Sequence, residues 1–376
     1  MPEIAEVKLM MDAITSLCKG HKLQHITVLG GRYKPYHIRD DKGEWIHQIK
    51  NPETGRMISI PTDQYPGGEY RVKLDNLDEF NDWLVSHSNT EPKVSVKGKF
   101  GWIEIGEWTI NITYGMSGGI YYEPTPEVLK TYAERKGKGK SVSKEEYMKS
   151  FHVQFELDNG VSFYFGDPRR FGTITISKDR SQLTKKLNKL GHDMLSSTPL
   201  TAEQFVTLFR QPRFNHNNIC KVLMGQEAIS GVGNYIKAEV LYECGISPWA
   251  WVCDLDDEVL QKLNISILRV AKEAYENRGA SLYTYSGASK EEGSFQSLLK
   301  VYNRLGDPEG NLVEIIPETK SPDGRTTHYS PTKQTLGAHR DPALQIKKKI
   351  PLKIKPKASD SESGYLGEIE ESEMEV

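Results

Sequence analysis

The chain has 376 residues, more than one hydrophobic core usually serves, so we expect two domains followed by a tail. No apolar run approaches the ~20 residues of a membrane span and no signal segment opens the chain, so we expect neither a membrane protein nor a secreted one. The four cysteines are scattered without a CxxC pair, which favours a reducing compartment over a disulfide-linked fold or a zinc knuckle. The net charge of -2 hides an asymmetry, because residues 360–376 hold seven acidic side chains and residues 1–359 sum to +5.

The first half of the chain is predicted to be mostly β. Apolar residues recur at helical spacing over 3–19, and a short amphipathic helix is predicted at 77–85. Between them, residues 30–75 are rich in Gly, Pro, Asp and Lys, which is typical of an inserted hairpin or long loop. We therefore expect a β domain over 1–181 with its first helix packed on it. Its strands are predicted at 93–105, 107–113, 119–122, 151–157, 161–165 and 172–177.

From residue 182 the hydrophobic period becomes helical. A short two-stranded element follows within 298–335, and residues 341–376 form a Lys-rich and then acidic tail that is expected to be disordered. The sequence thus predicts an α+β protein whose second, helical domain covers 182–340. Its helices are predicted at 182–190, 201–210, 216–224, 234–244 and 256–276.

Pro2 and Glu3, directly behind Met1, pair an imine-forming amine with a carboxylic acid. With Met1 removed, the Pro2 nitrogen is a secondary α-amine, and the α-amino reference pKa of ~7.7–8.0 leaves part of it unprotonated near neutrality. Such an amine can condense with a carbonyl, and Glu3 could shuttle protons during that step. A frayed terminus is the alternative interpretation.

Three loops of the first domain carry side chains suited to nucleic acid. Lys99 follows a glycine turn at a strand entry and could hold a phosphate, although such lysines are usually solvated. Met116 lies on a glycine-bracketed loop and is a candidate wedge for an opened base stack, or else a packed hairpin methionine. Arg169 and Phe171 share a turn and suit the gap left by an extruded nucleotide, or Arg169 serves a local ion network.

Two motifs of the second domain suit phosphate binding. The turn 230–234 joins two helical segments, and its backbone N–H groups, together with Asn234, could bind a phosphate. Arg325 lies on the hairpin turn of the two-stranded element and could grip another. A common glycine turn and an ordinary surface arginine are the alternatives.

In this order, over most of the chain, the motifs resemble the formamidopyrimidine-DNA glycosylase/endonuclease VIII family of base-excision repair enzymes. The run Gly233–Tyr242 is most similar to the animal and giant-virus endonuclease VIII-like members. The resemblance implies an N-terminal β-sandwich, a C-terminal domain with a helix-two-turns-helix motif, and a finger hairpin that in many relatives holds zinc on four cysteines. Residues 301–319 contain no cysteine, so we expect a zincless finger, no metal and no cofactor.

The resemblance further implies a bifunctional DNA glycosylase and abasic-site lyase. The Pro2 nitrogen would attack the sugar C1′, and the resulting iminium would permit β- and then δ-elimination. The excised base stays open among oxidised pyrimidines, hydantoins, formamidopyrimidines and 8-oxoguanine. The implied roles are catalysis for Pro2, Glu3 and Lys99, DNA binding for Asn234 and Arg325, and gap filling for Met116, Arg169 and Phe171.

The expected partner is double-stranded DNA containing oxidised bases or abasic sites, bound by a monomer. Residues 282–296 resemble the loop that closes over the extruded base in some relatives, and the tail is a candidate docking segment for repair proteins. The Lys-rich tail indicates a nuclear protein in a eukaryotic cell and a cytoplasmic one otherwise. A non-catalytic DNA-bending protein and an RNA-binding or ribosome-associated protein are the rival functions.

Overall fold

A computed structural model describes residues 2–33, 37–39, 45–50, 57–61, 74–87, 89–135, 137, 141–280 and 293–342. Most of the loop predicted at 282–296 and nearly all of the predicted disordered tail lie outside these residues. Among the helices that are described, none combines the length and the apolar character that crossing a membrane requires.

The N-terminal half is built on two four-stranded antiparallel sheets. Its strands are β1 (Leu23–Val28), β2 (His37–Arg39), β3 (Trp45–Lys50), β4 (Met57–Pro61), β5 (Lys93–Lys97), β6 (Phe100–Ile105), β7 (Trp108–Thr113), β8 (Gly119–Tyr122), β9 (Phe151–Leu157), β10 (Ser162–Gly166) and β11 (Thr173–Ser177). One sheet has the order β1-β9-β10-β8 and the other β11-β7-β6-β5. Alternate residues, such as Ile103 and Ile105 on β6 and Val153 and Phe155 on β9, point into one shared core, as the period-two pattern predicts.

The helices of this half are α1 (Ile4–Cys18), α2 (Leu77–Ser86), α3 (Pro126–Arg135) and α4 (Lys144–Met148). The first two confirm the predicted helices. The short helices α3 and α4 were not predicted, because few of their residues are apolar. They pack through Tyr132 and Tyr147 into a small cluster with Tyr121 and Phe151, on the sheet that contains β8 and β9.

The prediction of an inserted hairpin or long loop at 30–75 is incomplete. Strands β2, β3 and β4 pair antiparallel into a three-stranded sheet. The period-two spacing of Ile58 and Ile60 is a strand signal that the polar composition of the segment obscures.

The C-terminal half is mainly helical, and the five predicted helices correspond to α5, α6, α8, α9 and α10. The helices are α5 (Arg180–Asn188), α6 (Ala202–Phe209), α7 (Pro212–Asn215), α8 (Ile219–Met224), α9 (Asn234–Glu243), α10 (Asp257–Glu276) and α11 (Phe295–Leu298). Two short pairs of strands complete it: the parallel pair β12 (His192–Asp193) and β13 (Ile229–Ser230), and the antiparallel pair β14 (Glu314–Ile316) and β15 (Thr327–Tyr329). The chain is therefore an α+β protein, as the sequence predicts, whereas the boundary near residue 181 stays a prediction.

Helix α1 belongs to both halves. Its first turn, with Ile4 and Ala5, is buried in the core of the helical half. The next turns, with Val7, Met11 and Ile14, are buried in the core between the two sheets. This double burial fixes the N-terminus of the helix where the two halves meet.

Candidate active site and nucleic-acid interface

Three of the predicted loops lie at one end of the second sheet. Phe100 at the start of β6 pairs with Thr113 at the end of β7, and Thr113 pairs with Thr173 at the start of β11. Lys99 lies directly before Phe100, Met116 lies shortly after Thr113, and Phe171 lies shortly before Thr173. Because the strands are antiparallel, the register places all three loops at the same end of the sheet.

The turn between α8 and α9 packs directly on the start of α1. A methyl group on Gly231 would come within 2.3 Å of Ile4, and one on Gly233 within 2.2 Å of the Glu3 carboxyl carbon. A methyl group on Gly98 would come within 2.7 Å of Ser230 on the same turn. Glycine at these positions therefore allows the turn to approach both the N-terminus and the Lys99 loop.

The Glu3 carboxylate is buried and held by backbone groups of that turn. One oxygen accepts hydrogen bonds from the N–H groups of Gly233 and Ile236 at 2.9 and 3.2 Å, and the other from Tyr235 at 2.8 Å. Burial raises the pKa of Glu3 to about 7, because the opposing Lys99 charge and the N–H donors offset only part of the desolvation. Pro2 is buried directly before it.

The orientation of these N–H groups corrects one sequence interpretation. They were expected to point outward and bind a phosphate. Those of Gly233, Tyr235 and Ile236 instead donate to Glu3, and that of Gly231 donates to the Gln226 side chain at 2.8 Å. The positive end of α9 is thus occupied by a carboxylate of the protein itself, Glu3, which lies 230 positions away from Gly233 in the chain and which no local pattern could connect to this helix.

A second buried carboxylate, Glu6, lies beside Glu3 and was not among the predicted site residues. It accepts the backbone N–H of Glu3 at 2.9 Å, the Tyr235 hydroxyl at 3.1 Å and the N–H of Ala280 at 2.9 Å. Burial is the main cause that raises the pKa of Glu6. A sequence signal was available, because a Glu three residues after an N-cap is the pattern of a capping box.

Lys99 is the cationic partner of this pair of carboxylates. The residue is partly exposed, and desolvation of its ammonium group lowers the pKa to about 8, an effect that Glu3 and Glu6 oppose. The Arg325 and Lys237 charges lie close enough to lower this pKa further. The Lys99 loop is attached to β12, since the N–H of Gly98 donates to the Asp193 carboxylate at 2.9 Å.

We call the antiparallel pair β14–β15, together with the turn 317–326 between its strands, the finger. The finger turn carries Arg325 and contacts Asn234 at the start of α9. The Asn234 side-chain amide donates to the Thr326 carbonyl at 2.7 Å, so part of its donor capacity is used within the protein. Its amide oxygen is buried without a partner among the described residues. The structure therefore gathers Pro2, Glu3, Lys99, Asn234 and Arg325 around one point.

The three predicted gap-filling residues lie on two loops that are joined to each other. The buried Asp167 carboxylate accepts hydrogen bonds from the Ser117 hydroxyl and from the N–H groups of Arg169 and Gly172. Phe171 is 54% exposed, and the Arg169 guanidinium lies 5.2 Å from the centre of its ring. Met116 is partly buried next to Ser117. An aromatic ring, a cation and a thioether are thus presented at the rim of the site.

The site consists of two buried carboxyl groups, a turn between two helices and loops that carry cationic and aromatic side chains. Two family models match the parts of the chain that hold the loops and the turn: the formamidopyrimidine-DNA glycosylase N-terminal domain over residues 69–174, and the formamidopyrimidine-DNA glycosylase H2TH domain over residues 190–286. The chain is 34% identical over 194 residues to the formamidopyrimidine-DNA glycosylase of Pediococcus pentosaceus, covering 51% of this chain and 69% of the relative. It is 29% identical over 371 residues to that of Arabidopsis thaliana, covering 96% of this chain and 77% of the relative.

The chain therefore belongs to the formamidopyrimidine-DNA glycosylase family, as the sequence motifs predict. The finer prediction, of an endonuclease VIII-like subtype, stays a prediction. Solved structures confirm the fold. A Lactococcus lactis glycosylase mutant bound to tetrahydrofuran-containing DNA matches with a TM-score of 0.62 at 21% identity, over 89% of this chain and 100% of that chain. The MutM (Fpg) protein of Thermus thermophilus matches with a TM-score of 0.59 at 24% identity, over the same shares.

Proposed function

We propose that this protein is a bifunctional DNA glycosylase and abasic-site lyase of base-excision repair. The Pro2 nitrogen, freed by removal of Met1, attacks C1′ of the damaged nucleotide, and the base departs. The iminium that joins Pro2 to the sugar then allows β- and δ-elimination, which break the strand on both sides of the lesion. Glu3 gives and takes the protons of these steps.

The buried, hydrogen-bonded Glu3 carboxyl group with its raised pKa is the observation that carries this proposal. A carboxyl group whose pKa is raised to about 7 can act as an acid and as a base near neutral pH. Three N–H groups hold it next to Pro2, so its position is set before substrate binds. A protein that only bends DNA has no use for a buried proton-transfer group at its N-terminus.

The surrounding residues have roles in binding. Lys99, Asn234 and Arg325 contact the phosphates around the lesion, and Lys99 also balances the charge of Glu3. Met116, Arg169 and Phe171 occupy the gap that the extruded nucleotide leaves, which offsets part of the few kcal/mol that unstacking requires.

The substrate is double-stranded DNA with an oxidised base or an abasic site. Solved Lactococcus lactis relatives are bound to DNA that contains a Fapy-dG lesion or an abasic site. We therefore propose formamidopyrimidine lesions as the first substrates to assay.

Borohydride trapping tests the nucleophile. The protein with its mature N-terminus should form a covalent adduct with lesion DNA, and mass spectrometry should place it on Pro2. A variant that carries one extra residue before Pro2 should bind the same DNA and form no adduct, because its amine is blocked. Equal trapping by the blocked variant would assign the nucleophile to a lysine, and an absence of excision on every lesion duplex would reject the glycosylase function.

A further inference from the structure

The finger of this chain does not fit the zinc site of its four-cysteine relatives. Residues 301–330 contain no cysteine. Within the described residues there is also no group of three or more His, Cys, Asp or Glu side chains that could hold a metal ion. A hairpin as short as β14–β15, three residues in each strand, needs another connection to hold its turn in place.

A buried ion pair makes that connection. The Lys237 ammonium group, on α9, lies 2.5 Å from the Asp323 carboxylate, in the finger turn. The two side chains are 0% and 2% exposed. Lys237 also donates to the Thr327 hydroxyl at 3.1 Å, so one cation contacts the turn and the strand that follows it.

The other oxygen of Asp323 organises the turn itself. It accepts the Ser321 hydroxyl at 2.8 Å and the backbone N–H of Arg325 at 3.2 Å. The Ser321 and Thr327 hydroxyls lie 3.0 Å apart, which closes the network across the hairpin. Lys237 is therefore connected through one carboxylate to the backbone of the residue that is expected to contact DNA.

The surroundings of α9 determine what the loss of one partner of this pair costs. All residues from Tyr235 to Leu241 are buried, so the Lys237 charge lies in a region with little water to compensate it. A buried charge that loses its partner is strongly unfavourable, whereas an exposed pair contributes little. The Lys333–Glu309 pair, in the same part of the chain, has side chains that are 40% and 55% exposed and serves as a natural comparison.

We infer that Lys237 and Asp323 are positioning residues that lock the finger turn to α9 and hold Arg325 at the DNA, in a finger that has no cysteine ligands for a metal. This inference rests on the proposed function for its DNA readout. Lys237 does not touch the substrate. It acts through Asp323 on the direction of the Arg325 side chain.

The test compares Lys237→Met, Arg325→Ala, the double variant and the control Lys333→Met on a duplex with a tetrahydrofuran abasic analogue. Affinity falls as salt rises, and loss of one phosphate contact reduces the steepness of log affinity against log salt, which we call the slope, by ~0.9. Arg325→Ala and Lys237→Met should each lower the slope by that amount and weaken binding by about tenfold, as expected for a charge-assisted hydrogen bond. The double variant should lower the slope by ~0.9 only, because both changes remove the same contact. Lys333→Met should bind like the wild type.

Amide hydrogen exchange supplies a readout that needs no DNA. Exchange in the turn 320–327 should be faster in Lys237→Met than in the wild type and unchanged in Lys333→Met. Should Lys237→Met fail to fold, Lys237→Met/Asp323→Leu replaces the pair with apolar side chains, and it should fold but keep the lowered slope. Wild-type slope and exchange in a folded Lys237 variant, or additive slopes in the double variant, would overturn the inference. Failure of the wild type to bind the duplex would reject the proposed function instead, and the exchange result would still decide the inference.

Discussion

The start of α1 lies where the halves of the protein meet, and the two rim loops, which carry Met116 and Arg169–Phe171, lie at one end of the second sheet. The two regions are built in opposite ways. The Glu3 carboxylate is buried and accepts three backbone hydrogen bonds. Phe171 is 54% exposed, and the Arg169 guanidinium lies 5.2 Å from the centre of its ring. A proton-transfer group has to be oriented before the substrate arrives, whereas a gap-filling group finds its contacts in the opened DNA. In the proposed function, this difference separates residues for chemistry from residues for recognition.

We expect the largest effect from a change at the buried Glu3 carboxyl group. Glu3→Gln keeps the shape of the side chain and removes its proton, so single-turnover excision of an intact lesion should fall by ~10²–10⁴. Cleavage at a preformed abasic site should suffer less, because no base has to be expelled. Equal losses on the two substrates would mean that Glu3 mainly positions the N-terminus.

Gly233→Ala tests whether the position of Glu3 depends on the turn between α8 and α9. The added methyl group would come within 2.2 Å of the Glu3 carboxyl carbon, so the carboxylate has to move. Excision should drop on the order of 10²-fold, as for a catalytic group displaced by about 1 Å. Gly30→Ala is the control, since its backbone is outside the left-handed region and the nearest atom to its added methyl group, the Phe151 carbonyl oxygen, lies at an ordinary contact distance of 3.5 Å. Wild-type activity in Gly233→Ala would show that Glu3 tolerates displacement.

The rim loops should show a smaller effect that depends on the DNA. Met116→Ala and Phe171→Ala should each slow excision from a fully paired duplex roughly tenfold, the scale of a lost stacking contact. The loss should shrink when the damaged base is mispaired, because extrusion is then easier. Melting temperatures should not change for Phe171→Ala, since the ring is exposed. A loss that is independent of pairing would exclude gap filling.

The smallest effect is on the pH dependence of stability. Burial raises the pKa of Glu3 from 4.5 to about 7, so between these values the folded protein keeps a proton that the unfolded chain has released. Folding stability from this group therefore falls as the pH rises from 4.5 to about 7. Glu6 and Glu239 also have a raised pKa, but they are present in both the wild type and the Glu3→Gln variant, so they do not account for a difference between the two. The melting temperature of the wild type should fall more across this range than that of Glu3→Gln, and parallel curves would contradict the buried state of Glu3.

Much of the fold follows from local patterns in the sequence. The predicted strand segments match β5 to β11 within a few residues, except that the single segment 93–105 is two strands, β5 and β6, joined by a turn at Gly98 and Lys99. The helices α1, α6 and α10 were predicted from a regular apolar face, whereas in α9 all residues from Tyr235 to Leu241 are buried. The three-stranded sheet β2–β4 and the helices α3 and α4 were missed. Their apolar residues are too few, or too masked by polar neighbours, to show a period.

The sequence by itself singled out Pro2, Glu3, Lys99, Asn234 and Arg325 as candidate site residues, since all of them lie in recognisable motifs. Only the tertiary structure decided what their neighbours do. It directed the N–H groups of the α8–α9 turn to Glu3 rather than to a phosphate, and it joined Lys237 to Asp323 across 86 positions of the chain. Local spacing specifies an element and one of its faces. The partner of a buried charge is set by how distant elements pack, which no short pattern contains.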